Sequence, residues 1–301
     1  MRHALLLFAA LLVAAPTHGA EAPPVVASVR PIQAIAAAVM AGAGSPQLLL
    51  PGTAALHTHA LRPSEARLLA KARVVFWIGP PLETSLGKPL AALAQKPHVV
   101  ALIEAPGVEL LRARIGGLWE HGAHAREADS APADGHIWLD VRNAVAIANV
   151  MAESLAVVDP FNAERYWSNA EAFSRDAMAL DKTLHVRFAP VREKPFLVFH
   201  DATQYFEARY RLAAMGSIGV MPDQPPGAQR LAAIQEKLRG VGAVCIFSEP
   251  QIEPRTVQML VEGFGAKTGV LDPEGVTLQG GPNLYFNLMR GLADEFLRCL
   301  A

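Results

Sequence analysis

The chain has 301 residues, 51% of them hydrophobic and 18% charged, which is enough apolar material for one large or two medium cores. Lysine and arginine number 27 against 28 aspartate and glutamate residues, so the formal charge is −1. This composition argues against an intrinsically disordered chain, and the charge balance argues against a protein that binds nucleic acid or an anionic membrane surface.

The N-terminus has the three parts of a secretory signal peptide. Arg2 supplies a positive charge, residues 4–15 are an unbroken apolar run that Pro16 ends, and small residues follow. The run is too short to cross a membrane as a helix. We therefore expect residues 1–22 to be removed on export and the mature protein to be soluble in the periplasm. We expect no later segment to reach membrane-spanning length.

The first half of the chain alternates short β-branched runs with helical patterns, which is typical of parallel βα units. Strands are predicted at 25–29, 47–50, 73–78 and 98–102, and helices at 31–40, 63–72 and 141–157. An irregular polar loop at 116–135 interrupts this alternation. Together these segments predict an N-terminal α/β lobe of residues 23–158.

The longest helical pattern separates two α/β halves. Apolar residues recur at three- and four-residue steps from Asp159 to about Arg187. We predict a linker helix at 159–189, with a long core helix of a single domain as the alternative. The alternation then restarts and predicts a C-terminal lobe of residues 190–301. Its strands are predicted at 196–199, 213–218, 243–247 and 268–271, and its helices at 203–209, 227–239, 253–264 and 285–300.

The chain contains two cysteines, Cys245 and Cys299. In an exported protein such a pair predicts a disulfide, whereas two buried free thiols are the alternative. The bridge would tie the last helix to the 243–247 strand. It would stabilise the fold by about 2–4 kcal/mol on the chain-entropy model.

Four potential metal ligands lie at or near predicted strand ends, where open parallel α/β sheets bind their ligands. They are His57, His136, His200 and Asp272. Three imidazoles and one carboxylate make a near-tetrahedral site that suits zinc. A single histidine at a strand end is more often a hydrogen-bonded structural residue than a ligand, so the prediction depends on the whole set. Asp201, beside His200, would cap the helix that follows or orient the imidazole.

The motifs around these residues resemble the zinc-binding periplasmic solute-binding proteins of ABC uptake systems. The resemblance covers essentially the whole mature chain. Its segments are residues 50–65 and 75–80, His136-Ile137-Trp138-Leu139-Asp140, Phe199-His200-Asp201-Ala202, Phe247-Ser248-Glu249-Pro250-Gln251 and Leu271-Asp272-Pro273.

The resemblance implies two parallel-sheet α/β lobes, joined by one long rigid helix, with the metal in the cleft between them. It implies His57, His136 and His200 as ligands, and a monomer that delivers zinc to an inner-membrane ABC permease without catalysis. Manganese-binding relatives carry a carboxylate where this chain has His200, which favours zinc. The Cys245–Cys299 pair also resembles a bridge of the zinc branch.

Two features depart from the family pattern. Some zinc-binding members have a glutamate just before the first histidine, but here that residue is Leu56, which cannot coordinate metal. The fourth position therefore goes to Asp272 or to water, and we predict Asp272. Many members also have a long loop rich in histidine and acidic residues before the second ligand. Here it is short and carries His121 and His124, so an accessory zinc site and a solvated loop both remain open.

Other functions fit the same residues. A manganese- or iron-binding protein of this fold and a periplasmic zinc buffer are two alternatives. A periplasmic zinc hydrolase is a third, because catalytic zinc also uses three protein ligands with water in the fourth place. The chain has no His-Glu-x-x-His, no Gly-x-Ser-x-Gly and no phosphate-binding loop, so we predict that it is not an enzyme.

Overall fold

The computed structural model describes residues 22–51, 61–93, 97–114, 131–218, 244–252, 254–262 and 265–301, with a few single residues between 232 and 242. The predicted signal peptide and most of the helix predicted at 227–239 lie outside the described residues. Two parallel sheets and the long helix between them lie within them, as predicted.

The first sheet has four parallel strands in the order β2-β1-β3-β4. The strands are β1 (Val25–Ala27), β2 (Gln47–Leu48), β3 (Val74–Trp77) and β4 (His98–Ala101). The helices are α1 (Arg30–Val39), α2 (Pro63–Lys71) and α3 (Gly87–Leu93). The central strands β1 and β3 are buried along their whole length, as β-branched and aromatic runs of a covered parallel sheet should be. The short helix α3 was not predicted, because its glycine and proline weaken the helical pattern.

Two long antiparallel helices follow the polar loop. The first, α4 (Val141–Val158), begins at Asp140, whose side chain accepts a hydrogen bond from the Arg142 amide. The second, α5 (Ala163–Phe188), is the predicted linker, and 3-10 turns extend it at both ends. Its 26 residues span about 39 Å at ~1.5 Å per residue. Because α5 packs along α4 and also contacts α1, it is part of the core rather than a free rod.

The second sheet repeats the topology of the first, with four parallel strands in the order β6-β5-β7-β8. The strands are β5 (Phe196–Val198), β6 (Ala214–Ser217), β7 (Cys245–Ser248) and β8 (Lys267–Val270). The described helices are α6 (Gln204–Tyr210), α7 (Pro254–Val261) and α8 (Leu284–Leu300). Cys245 and Cys299 form a disulfide between β7 and α8, which confirms the predicted bridge.

Among the described residues, α4 is the one helix that is long and apolar enough to cross a membrane. The expectation that no later segment reaches that length is therefore wrong for α4. Half of the helix is buried in the protein, where it packs against α1 and α5. Its apolar composition is accounted for by this buried face.

The buried apolar residues form one connected cluster that includes side chains of both sheets, of α4 and of α5. The halves are joined further by Arg30, at the start of α1, whose side chain donates to the carbonyls of Gly275 and Leu278. The predicted bounds of the N-terminal lobe (23–158), the linker helix (159–189) and the C-terminal lobe (190–301) stay a prediction.

Candidate metal site

The structure brings His136 and His200 together between the two halves. Their ring centroids are 5.4 Å apart and their ring planes meet at 73°. His136 is 4% exposed and the side chain of His200 is 15% exposed. Two ligands predicted from separate motifs thus lie side by side in a largely buried place.

The two histidines reach this place from different local structures. His200 follows β5 by two residues and lies at the carboxyl end of the second sheet, as predicted. His136 immediately precedes a 3-10 turn at Ile137–Leu139, so the expectation that it lies at a strand end is wrong. The turn leads directly into Asp140 and α4, which leaves no room for a strand before the helix.

A carboxylate orients each imidazole. The Nδ1 of His136 lies 2.7 Å from Asp134 Oδ1, and the same oxygen accepts the backbone N–H of His136 at 3.0 Å. The Nδ1 of His200 lies 3.0 Å from Glu249 Oε1. A carboxylate bonded to one ring nitrogen fixes the tautomer in which the other nitrogen coordinates a metal. Both histidines are therefore arranged to coordinate through Nε2.

The charge around His200 is unusual for a histidine. Burial alone lowers the pKa of its imidazole, but the charge and hydrogen bond of Glu249 outweigh burial and raise the pKa to about 9. The carboxylates of Asp201 and Glu274 act in the same direction. Without metal, His200 is thus protonated at neutral pH, so an incoming metal ion must displace a proton.

The turn after β8 contains the predicted ligand Asp272. Its Oδ1 accepts the Val276 amide at 2.9 Å, and its Oδ2 accepts both the amide and the hydroxyl of Thr277, at 2.9 and 2.6 Å. These hydrogen bonds show that Asp272 closes its own turn. Whether it also coordinates a metal stays a prediction.

A second acid in this turn, Glu274, was not predicted. Burial, and next the charge of Glu249, raise the pKa of its carboxyl to about 8, whereas His200 lowers it. Glu274 is therefore electrostatically coupled to His200 and Glu249. Its position just after the predicted strand at 268–271 is the sequence signal that could have revealed it.

Asp201 has a different partner from the two that we expected. Its carboxylate accepts hydrogen bonds from the guanidinium of Arg114, whose Nη1 also donates to Glu207 at 2.7 Å. Helix α6 begins after Thr203, so Asp201 is not its N-cap. The predicted capping role is therefore wrong, and Asp201 instead joins the two halves of the protein beside His200.

The segment that carries His136 is held mainly by the C-terminal half. The indole of Trp138 donates to the Pro273 carbonyl at 2.9 Å, and the Tyr285 hydroxyl donates to the Trp138 carbonyl at 3.1 Å. The Tyr205 hydroxyl donates to the Asp134 carbonyl at 2.9 Å. His136 and His200 consequently belong to one packed unit, although they lie on either side of the linker in sequence.

The other predicted ligands lie outside the part of the chain that the structure describes. These are His57, which follows Leu56 in residues 52–60, and the accessory candidates His121 and His124 in residues 115–130. Within the described residues, no group of three or more His, Cys, Asp or Glu side chains could hold a metal ion. The described geometry therefore supplies two oriented imidazoles, and a complete site needs further ligands.

Comparison with known proteins gives consistent matches over the whole fold. The family described as "Zinc-uptake complex component A periplasmic" matches residues 25–299. The "High-affinity zinc uptake system protein ZnuA" of Brucella suis biovar 1 (strain 1330) is 40% identical, over 92% of this chain and 91% of that protein. The protein of the same name from Yersinia pestis is 34% identical, over 98% and 96%.

A solved structure described as "Crystal structure of ZnuA" matches with a TM-score of 0.77 and 24% identity. The match covers 93% of this chain and all of that chain, 100%. At this level of identity the match supports the fold, namely two parallel-sheet lobes joined by a long helix.

Proposed function

This chain belongs to the family of periplasmic zinc-uptake component A proteins, and on that premise we propose that it binds zinc in the periplasm and delivers it to an ABC permease of the inner membrane. The observation that carries the proposal is the His136–His200 pair, in which each imidazole is oriented by a buried carboxylate. Such pairs are the usual support of histidine ligands to zinc.

Three histidines and one carboxylate form the proposed ligand set. His57 joins His136 and His200, and an acid from the turn after β8 takes the fourth position. Asp272 is the ligand predicted from the sequence, but both of its oxygens bind within the turn. Glu274 is the other candidate for this position, because its carboxyl is electrostatically coupled to His200 and Glu249. Neither acid forms a three-ligand group with the two histidines as the described residues stand.

Zinc is the proposed cargo because neutral imidazole is a good ligand for zinc, whereas manganese prefers oxygen donors. A same-fold manganese or iron carrier would be expected to replace an imidazole by a carboxylate. A ligand set closed by an acidic side chain would leave no place for an activated water, so we propose no catalytic role. The predicted signal peptide supports export to the periplasm, where we propose that the protein acts as a monomer.

The raised pKa of His200 gives zinc release a chemical route. Metal binding must displace the proton that His200 carries at neutral pH, so protonation and zinc compete for the same imidazole. A permease that separates His200 from Glu249 would instead remove the carboxylate that orients this ligand, which would also weaken zinc binding.

The proposal is tested by elemental analysis of the mature protein, followed by competition with a chromogenic zinc chelator. We expect one zinc per chain, and we expect manganese to compete poorly. A strain lacking the gene should grow poorly under zinc chelation and recover when zinc is added. Purified protein without zinc, or manganese binding tighter than zinc, would contradict the proposal.

A further inference from the structure

We propose that the buried hydroxyl of Tyr205 is a positioning group that sets the distance between His136 and His200. This inference rests on the proposed function, because it assigns a role in zinc binding to a residue that does not touch the metal. Tyr205 lies in α6, the helix that begins four residues after His200, and it is 2% exposed.

The hydroxyl of Tyr205 joins two backbone segments of the other half of the protein. It accepts the Leu111 amide at 3.0 Å and donates to the Asp134 carbonyl at 2.9 Å. These two segments also pair with each other, since the Asp134 amide donates to the Leu111 carbonyl at 2.8 Å. The Tyr205 hydroxyl thus adds two hydrogen bonds to the paired segments of Leu111 and Asp134, the second of which leads into His136.

Asp134 connects the Tyr205 hydroxyl to the proposed ligand His136. Its carboxylate binds both the ring and the backbone N–H of His136, so Asp134 and His136 move as one unit. The next residue, Gly135, packs so closely on Leu82 that an added Cβ would overlap the Leu82 side chain. The segment is therefore held by contacts with Leu82 in the first half and with Tyr205 in the second.

The His200 side of this arrangement is fixed independently. His200 is bound to Glu249, and α6 follows it after a short turn that Arg114 secures through Asp201 and Glu207. The Tyr205 hydroxyl is a hydrogen-bonding link from this helix to Asp134. Its removal would leave the buried Asp134 carbonyl and the partly buried Leu111 amide without this partner, a cost that a shift of the segment would relieve.

The experiment compares Tyr205→Phe with Tyr210→Phe, a matched control on the same helix. Tyr210 is also buried, but its hydroxyl donates to Asp181 of α5 at 3.3 Å. For each variant and the wild type we would measure zinc affinity by chelator competition, the visible absorption bands of the cobalt(II)-loaded protein, and the melting temperature without metal.

We expect Tyr205→Phe to weaken zinc binding about 10-fold, at the lower end of the range for groups that orient metal ligands, and to alter the cobalt bands. Tyr210→Phe should lower the melting temperature but leave affinity and cobalt bands as in the wild type. The inference is overturned if Tyr205→Phe retains wild-type affinity and bands, or if Tyr210→Phe loses as much affinity. A wild-type chain that binds no zinc would instead overturn the proposed function.

Discussion

The two sheets share one strand order, yet their carboxyl ends are used differently. At the end of β3, the amides of Ile78 and Gly79 donate to the carboxylate of Glu83, which is completely buried. At the end of the second sheet, His200 and Glu249 face each other as an oriented pair. In the described part of the molecule, the backbone at the carboxyl end of the first sheet binds a glutamate of its own chain segment. The carboxyl end of the second sheet instead carries side chains that could bind a ligand.

The electrostatics of the two ends differ in the same way. Burial raises the pKa of Glu83 to about 7, and the hydrogen bonds that it accepts only partly offset this effect. Glu249 instead lies against an imidazole whose pKa it raises to about 9. His136 belongs to the first half, but residues of the C-terminal half bond its segment. The two proposed ligands therefore form a preformed pair across the two halves, to which His57 would be added.

The largest expected effect comes from removing the histidines. His136→Ala and His200→Ala should each weaken zinc binding by more than about 100-fold, because they break the preformed pair and exceed the effect of losing an orienting group. His57→Ala should cost less, since it leaves that pair intact. Chelator competition measures all three, and His98→Ala, an exposed residue of β4, serves as the control.

Equal losses for the three variants would mean that His57 contributes as much as each member of the preformed pair, which would remove the proposed difference between the two sheet ends. Unchanged affinity in all three would rule out the proposed site.

A smaller loss of zinc affinity is expected for the acids after β8, and it should distinguish the roles of Asp272 and Glu274. Glu274→Gln should weaken zinc binding by about 10-fold, with little change in melting temperature. Asp272→Ala should mainly lower the melting temperature, because three hydrogen bonds within the turn are lost. Isothermal titration with zinc and thermal unfolding of each metal-free variant distinguish the two roles. The reverse result would assign the fourth position to Asp272.

The smallest effect concerns stability without metal. The pKa of His200 is about 9 in the folded protein, above the value of ~6.5 in the unfolded chain. The His200–Glu249 pair therefore stabilises the folded state fully below about pH 6.5, and this stabilisation is lost as the pH rises through about 9. The melting-temperature advantage of the wild type over Glu249→Gln should therefore be greatest near pH 6 and fade by pH 10. An advantage that does not change with pH would contradict the raised pKa.

Local patterns were sufficient to predict most of the fold. The buried β-branched and aromatic runs of β1, β3, β5 and β7 and the long apolar stripe of α5 are signals that a short window of sequence carries. The helix α3 was missed because Gly87 and Pro89 disturb its pattern. The disulfide was predicted from two cysteines and an export signal, which together leave few alternatives.

The site was predicted less completely, because its contacts join distant residues. His200 was found from its strand end, but its partner Glu249 directly follows the neighbouring strand β7, and only the register of β5 against β7 brings them together. Asp201 was expected to act locally, yet it binds Arg114 from the other half. Neither Tyr205 nor Asp134 has a sequence pattern that reveals its role.

The hydrogen bonds between the two segments that flank the polar loop have a consequence for how the length of the loop can vary. The Ala113 amide donates to the Pro132 carbonyl, the Asp134 amide donates to the Leu111 carbonyl, and Tyr205 binds both sides of this junction. The two ends of the loop are therefore fixed to each other before the chain reaches His136. Insertions or deletions between these ends need not move the proposed ligand His136. The loop can therefore differ in length between related proteins while His136 keeps its position relative to His200.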